Sequence, residues 1–463
     1  MDIPVINEKK NNVLNSADFT SRYSNVPLVP ATKLFKHKTK LFDTISIENV
    51  RQGEFEDCFL VSSLAALTEQ PNLIRKLFNF TDTYDLNGYY YVRLYYNGMP
   101  VVVAVTTKIP VDPKTASEIP LFCKANYNET WAFLAEKAYS ILYGGYKNLV
   151  GGCCAEALNT LTGFPVAAYP IQHADPVILL AKMQKWKNKK YLMCATCSID
   201  DHEPADSKFV DNHAYTVISV DDTVGSDNFV ELRNPWGKSC DNDEFIKISF
   251  VDFYNKFIDL AVLRVDPTFE SYFFTKACFD KPDKIKLFEL KVTSECRIAI
   301  GIHQNSHSDK MCGVRACVLN SDCRMSLGGK ETFMEMFYVR GGEYKLKPGC
   351  YNILIDRETS SIGTENEFSL SLFSTLKCGV SFHQSKNEIY NKKSRFLMPN
   401  YQKQFGVCAV CCESLNCDSI RVGGLIIHPE CDHCYLCRCP LEVNHIGIKA
   451  LHIYCDVCFE KIK

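Results

Sequence analysis

Gln52-Gly53-Glu54-Phe55-Glu56-Asp57-Cys58-Phe59-Leu60 runs without a break into Val61-Ser62-Ser63-Leu64-Ala65-Ala66-Leu67. A glycine turn leads to a cysteine, and the cysteine opens an apolar run with small residues at helical spacing. The spacing predicts a helix that starts at or near Cys58 and ends about Gln70, where Pro71 breaks the pattern. At such a terminus the unpaired backbone N–H groups and the helix dipole favour thiolate over thiol. Gln52 lies one loop upstream, within reach of the same spot. Its amide and the Cys58 backbone N–H together would make an oxyanion hole. Taken alone, a cysteine in this setting is more often a small core residue.

Two further stretches change that reading. Asp211-Asn212-His213-Ala214-Tyr215-Thr216-Val217-Ile218-Ser219-Val220 is β-rich, with a histidine at its entry. Phe229-Val230-Glu231-Leu232-Arg233-Asn234-Pro235-Trp236-Gly237 is a second such run, ending in an asparagine before a turn. The order is Cys, His, Asn, the last two on successive strands. A histidine takes the thiol proton, and an asparagine carbonyl fixes the tautomer and orientation of the imidazole.

Gln-Gly-x-x-x-Asp-Cys, His-Ala-Tyr and Leu-Arg-Asn-Pro-Trp-Gly together resemble the protease core of the calpain family. The likeness continues through Asn128-Glu129-Thr130-Trp131, Glu136-Lys137-Ala138-Tyr139 and Gly144-Gly145-Tyr146, then Gly151-Gly152, Glu156 and Thr162-Gly163. It covers roughly residues 30–265. The resemblance implies a papain-like core at 26–266, with a helical lobe at about 26–150 and a sheet-rich lobe at 151–266. It implies Cys58 as nucleophile, His213 as base and then acid, Asn234 as orienting residue and Gln52 at the oxyanion. Gly151, Gly152 and Trp236 fall at substrate-binding positions, Trp236 also shielding the His213–Asn234 pair. The family core binds calcium through oxygen ligands in each lobe. Glu156 and Glu244 match ligand positions, whereas Asn49 stands where an aspartate is expected. Glu56 and Phe59 replace the family's glycine and tryptophan beside the nucleophile.

The chain has 463 residues, 46% hydrophobic and 23% charged, which suits about three globular domains. A net charge of −2 gives no electrostatic case for nucleic acid. Residues 1–25 are polar, with no apolar core, and read as a loosely held arm without a signal peptide. No apolar run is long enough to cross a bilayer. The 24 cysteines, with no export signal, fit a reducing, cytoplasmic compartment better than a disulfide framework. No EF-hand loop is present, so no small subunit bound through one is expected.

Residues 268–378 alternate short β-rich runs with turns such as Pro348-Gly349, the pattern of a β-sandwich. They resemble the C2-like domain that follows the calpain core. Residues 379–405 are polar and basic and read as a linker. The last segment, 406–463, carries Cys408-x2-Cys411, His428-x2-Cys431, Cys434-x2-Cys437 and Cys455-x2-Cys458. Four close pairs of soft ligands suit two tetrahedral zinc ions. The spacing resembles the LIM domain, which assigns Cys408, Cys411, His428 and Cys431 to one zinc and Cys434, Cys437, Cys455 and Cys458 to the other. That resemblance implies a protein partner. The chain thus reads as α+β: a two-lobed papain-like calpain core, a C2-like β-sandwich and a small double-zinc LIM domain. Its expected function is limited cleavage of protein substrates. A catalytically silent scaffold acting through its last two domains is the alternative, favoured by Glu56 and the thinned calcium positions.

Overall fold

A computed structural model describes residues 3–8, 26–34, 40–79, 81, 88–112, 120–124, 129–198, 209–221, 228–237, 243–265, 268–278, 286–304, 314–320, 332–334, 341–357, 367–385, 420–422, 425–427, 429, 432–434, 437, 439–441, 446–449, 452–455, 457–458 and 460. The chain divides into two compact units, Met1–Val265 and Asp266–Lys463.

The first unit begins with strand β1 (Val5–Asn7), β2 (Leu28–Pro30), the single turn α1 (Ala31–Leu34), helix α2 (Cys58–Leu67) and helix α3 (Pro71–Leu77). A hairpin follows, β3 (Tyr89–Tyr96) and β4 (Met99–Thr106), joined by Asn97 and Gly98, both at positive φ as a tight hairpin turn requires. Then come β5 (Lys108–Pro110), α4 (Trp131–Leu142) and α5 (Cys154–Thr162). Every residue of α2 after Cys58 is buried, so this helix is central and carries no polar stripe.

The arm read from the sequence as loose is held where it is described. β1 adds in parallel to β4, giving the sheet order β1-β4-β3. Glu8 then reaches Lys137 of α4 at 2.9 Å and accepts from the Thr106 backbone N–H at 2.6 Å. Lys137 is almost wholly enclosed, and burial pulls its ammonium down while Glu8 pushes it back up. Glu8→Ala is expected to cost about 3 kcal/mol in urea unfolding, because it leaves that ammonium buried without its counter-charge.

The second half of the unit holds β6 (Val166–Pro170), α6 (Pro176–Asn188), β7 (Leu192–Cys197), β8 (His213–Val220), β9 (Phe229–Arg233), β10 (Phe245–Ser249), α7 (Phe250–Lys256) and β11 (Phe257–Leu263). Its six strands pair antiparallel in the order β10-β9-β8-β7-β11-β6. The half read from the sequence as sheet-rich also carries helices α5 and α6. α5 ends at Gly163, which takes the left-handed conformation of a helix stop. α6 starts on an Asp175 cap followed by Pro176, and lays Leu179, Met183 and Trp186 on the sheet core.

The second unit contains β12 (Ser271–Cys278), β13 (Lys286–Val292), β14 (Cys296–His303), β15 (Val314–Asn320), β16 (Thr332–Met334), β17 (Gly341–Leu346), β18 (Gly349–Arg357), β19 (Glu367–Ser374) and β20 (Val380–Gln384). They form two antiparallel sheets, β12-β19-β14-β17 and β16-β15-β18-β13-β20, and residues of both sheets share one apolar core. β20 pairs with β13, so this layer runs past residue 378, where the sequence reading ended it. Two hairpins follow, β21 (Ile420–Val422) with β22 (Leu425–Ile427) and β23 (Ile446–Lys449) with β24 (His452–Cys455).

Candidate active site and metal centre

Cys58 is the first residue of α2, with Asp57 before it. Ser62, one turn on, donates its hydroxyl to the Ala214 carbonyl at 2.9 Å, and Thr216 donates back to the Ser62 carbonyl at 2.8 Å. These bonds lay the nucleophile's helix along β8, whose first residue is His213. The Cys58 thiol itself lies against the backbone of Ala214. Burial pushes that thiol above its ordinary value, the Ala214 backbone offsets part of this, and the Asp57 charge adds to it. The resting group is a thiol, against the expectation from the helix dipole alone.

His213 and Asn234 meet between neighbouring strands, Nε2 to Oδ1, at 3.1 Å. The same Oδ1 accepts the backbone N–H of Trp236 at 3.0 Å. An atom that accepts from a backbone N–H must be the amide oxygen, so His213 Nε2 is the donor and Nδ1 keeps its lone pair. Asn234 is fully enclosed and His213 nearly so. The Trp236 ring covers the imidazole at 4.6 Å, and Tyr215 meets it edge-on at 5.0 Å. Burial lowers His213 to about 4, the Asn234 bond opposing this only in part.

Gln52 is buried, its backbone N–H donating to Pro235 at 2.8 Å and its side-chain Nε2 to the Phe55 carbonyl. One amide N–H therefore orders the turn, and the second remains for an oxyanion. Gly151 donates to the Glu56 carbonyl at 3.0 Å, which fixes the Gly151-Gly152 edge to the nucleophile's turn. A methyl group at Gly152 would sit 2.6 Å from the Phe59 ring, so the aromatic residue after the nucleophile packs flat beneath a glycine. Glu56, expected to trouble the thiol, is exposed. The carboxyl that bears on Cys58 is Asp57.

The calcium positions are engaged by other groups. Asn49 is enclosed and donates to Glu129 at 3.2 Å and to the Thr44 carbonyl, while its Oδ1 has no hydrogen-bond partner. Glu156, in the first turn of α5, lies beside Tyr143 and Tyr139. Glu244 holds Arg233 at 3.2 Å and Arg51 at 3.9 Å. Residues 238–242, just before this carboxylate, lie outside the described residues.

In the second unit, Cys434, Cys437, Cys455 and Cys458 bring their sulfurs within 4.8 Å of one another, Cys437 and Cys455 at 3.6 Å. A zinc–sulfur bond of about 2.3 Å implies tetrahedral edges of about 3.8 Å, so this set fits zinc. The Cys434 N–H donates to the Cys439 carbonyl at 2.8 Å and closes the turn around Cys437. Cys439 places its sulfur 3.3 Å from that of Cys437. Cys408, Cys411, His428 and Cys431 lie outside the described residues.

The family model for calpain family cysteine proteases matches residues 20–257. The chain belongs to this family. It is similar to the calpain-type cysteine protease DEK1 of Arabidopsis thaliana, 32% identical over 42% of this chain and 9% of that protein. Calpain clp-4 of Caenorhabditis elegans is 30% identical over 41% of this chain and 27% of its own length. The Calpain-2 catalytic subunit of Macaca fascicularis is 29% identical over 41% of this chain and 28% of its own length. The chain therefore spans less than a third of each of these relatives. The cysteine protease and lectin-like domains of Cwp84, a surface layer associated protein of Clostridium difficile, match at 12% identity over 75% of this chain and 80% of that one, with a TM-score of 0.24, too low to argue from.

Within this calpain-family core a second acid stands behind the nucleophile, one the sequence motifs quoted but did not explain. Asp57 and Glu136 of α4 are both enclosed carboxyls. Burial raises Asp57 to about 7, and burial with the Asp57 charge raises Glu136 well above the usual range. Glu136 also accepts the Cys123 N–H at 2.9 Å and the Tyr146 hydroxyl at 3.0 Å. Separation from water thus favours the neutral form of both carboxyls. For catalysis the histidine matters more. A base must be neutral, and His213 stays neutral down to about 4. The acid limb of a kcat/KM profile for peptide cleavage should therefore lie well below the ordinary histidine range, nearer 4 than 6.5.

Proposed function

We propose that the chain is a calpain-type cysteine endopeptidase making limited cuts in protein substrates. The observation that carries this reading is the pinned Asn234 Oδ1, which forces Nε2–H on His213 and turns Nδ1 into the base. The Cys58 thiol gives its proton to that nitrogen as sulfur attacks the scissile carbonyl. The Cys58 backbone N–H and the second Gln52 amide N–H hold the oxyanion. His213 then returns the proton to the leaving amine, and water repeats the cycle on the acyl-enzyme. Gly151 and Gly152 form one backbone edge for an extended substrate, and Trp236 keeps water from the imidazole.

The C-terminal segment is proposed as a LIM module with two structural zinc ions. Cys434, Cys437, Cys455 and Cys458 hold one, and Cys408, Cys411, His428 and Cys431 the other. Four protein ligands at each ion leave no open position for catalysis, so the module serves a protein partner. The preceding sheets are proposed as a C2-like sandwich. No helix among the described residues is long and apolar enough to cross a membrane, which says nothing of a β-barrel. The proposed compartment is the cytoplasm, from the free thiols.

A silent scaffold is the competing reading, and one observation favours it: burial and Asp57 keep Cys58 protonated at rest. Covalent labelling with a peptidyl epoxide decides between them, with Cys58→Ala as control. Labelling confined to Cys58, together with peptide hydrolysis, supports the peptidase. An unlabelled Cys58 in folded, zinc-loaded protein moves the assignment to the scaffold.

A further inference from the structure

Cys58 and Gln52 belong to the helical half of the core, and His213 and Asn234 to the sheet half. The site works only if the two halves stay in register. Every residue around Asn234 contributes to that. Arg233, the residue before it, has no solvent exposure and donates to the Val50 carbonyl across the seam. Pro235, the residue after it, accepts the Gln52 N–H at 2.8 Å. The Asn234 N–H donates to the Glu244 carbonyl at 2.9 Å. The Glu244 side chain in turn takes Arg233 Nε and a terminal nitrogen at 3.2 Å on one oxygen and Arg51 at 3.9 Å on the other.

Arg51 comes from the helical half, next to Gln52. Its side chain crosses to the turn after Asn234, where a methyl group at Gly237 would lie 2.7 Å from Arg51 Nε. Gly237 at φ +72 both makes the turn and leaves room for that guanidinium. Glu244 is thus a shared counter-ion for one arginine from each half.

We infer that Arg51, Arg233 and Glu244 form a guanidinium–carboxylate clamp that holds the two halves of the site in register without a bound divalent cation. These are positioning residues; none touches the reacting atoms. The inference rests on the peptidase reading and departs from the family expectation that calcium supplies this alignment. A divalent cation at Glu244 would stand beside two guanidinium groups and meet like-charge repulsion. The half-exposed Arg51 is the softer side of the clamp, and Arg233 the harder, since its charge has no solvent to fall back on.

The test uses the full-length, zinc-loaded protein. The rate of epoxide labelling at Cys58 is measured in chelator and in millimolar calcium, and calcium binding is followed by calorimetry on the same samples. The clamp predicts labelling in chelator, changed less than about twofold by calcium. Glu244→Gln should slow the inactivation step by about 100-fold, as a misplacement of the order of an ångström does, with the inhibitor's binding constant little changed and no rescue by calcium. Glu244→Asp should recover part of the rate, and Arg51→Met, which keeps Arg233 paired, should show a smaller loss of the same kind. A wild-type protein that labels only with calcium would overturn the clamp, as would Glu244→Gln behaving like wild type, or a calcium-binding heat lost in Glu244→Gln. If Glu244→Gln does not fold, the Arg51→Met split between inactivation and binding decides. Silence toward the epoxide in every condition defeats the peptidase reading instead, and calorimetry still reads the clamp.

Discussion

His213→Ala is expected to lower kcat/KM for a fluorogenic peptide by 10⁴-fold or more, with KM little changed. The size follows from the resting state of the nucleophile. In this site burial favours the thiol form of Cys58, so attack calls for a base to remove the proton. In the proposed mechanism His213 Nδ1 is that base, because Nε2–H is committed to Asn234 and Asn234 is committed to Trp236. Without imidazole the reaction must wait for a rare thiolate. Asn234→Ala should be less severe by about two orders of magnitude, since the base remains and only its tautomer and aim are lost. Circular dichroism and zinc content would show that both variants fold. Equal activity of His213→Ala and wild type would remove His213 from the mechanism altogether.

Removing zinc is expected to unfold residues 406–463 while leaving the first unit folded. Two of the four cysteines of the described cluster, Cys434 and Cys458, are buried. A segment of under sixty residues has little room for a core of its own, so ligation is expected to supply most of its stability, on the order of 10 kcal/mol for one structural zinc. A strong chelator should make the segment sensitive to trypsin, and zinc should restore protection. Metal analysis should find two zinc ions per chain. Cys455→Ser removes a ligand shared by no other site and should bring this to one. A chain that binds no zinc and resists trypsin after chelation would require another source of folding energy.

Much of the site was legible because its chemistry is local in sequence. The cysteine at a helix start, the histidine opening one strand and the asparagine closing the next occur in stretches whose periodicity is plain. The strands Phe229–Arg233 and Phe245–Ser249 lie where alternation places them. Other features were not legible, for physical reasons. Asp57 stands in the quoted motif, but its enclosure beside Glu136, far along the chain, is not written there. Arg233 reads as a solvated charge at a strand end, whereas it is enclosed and bridges the seam. Helix α6 has Val177 on its exposed side and lysines scattered along it, which blurs the helical period. β1 is three residues long in a polar arm, and its partner strand is distant in sequence. β20 follows a turn at Gly379 and has mostly exposed side chains, so it looks like linker.

The ring over His213 has a spectroscopic consequence. Of the three tryptophans, Trp131 and Trp186 are enclosed, and Trp236 alone opens to solvent. A charged quencher such as iodide will select the emission of Trp236 from the total. An imidazolium 4.6 Å away quenches indole by electron transfer more strongly than a neutral imidazole does. The intrinsic fluorescence of this protein therefore doubles as an optical titration of His213, without label or substrate.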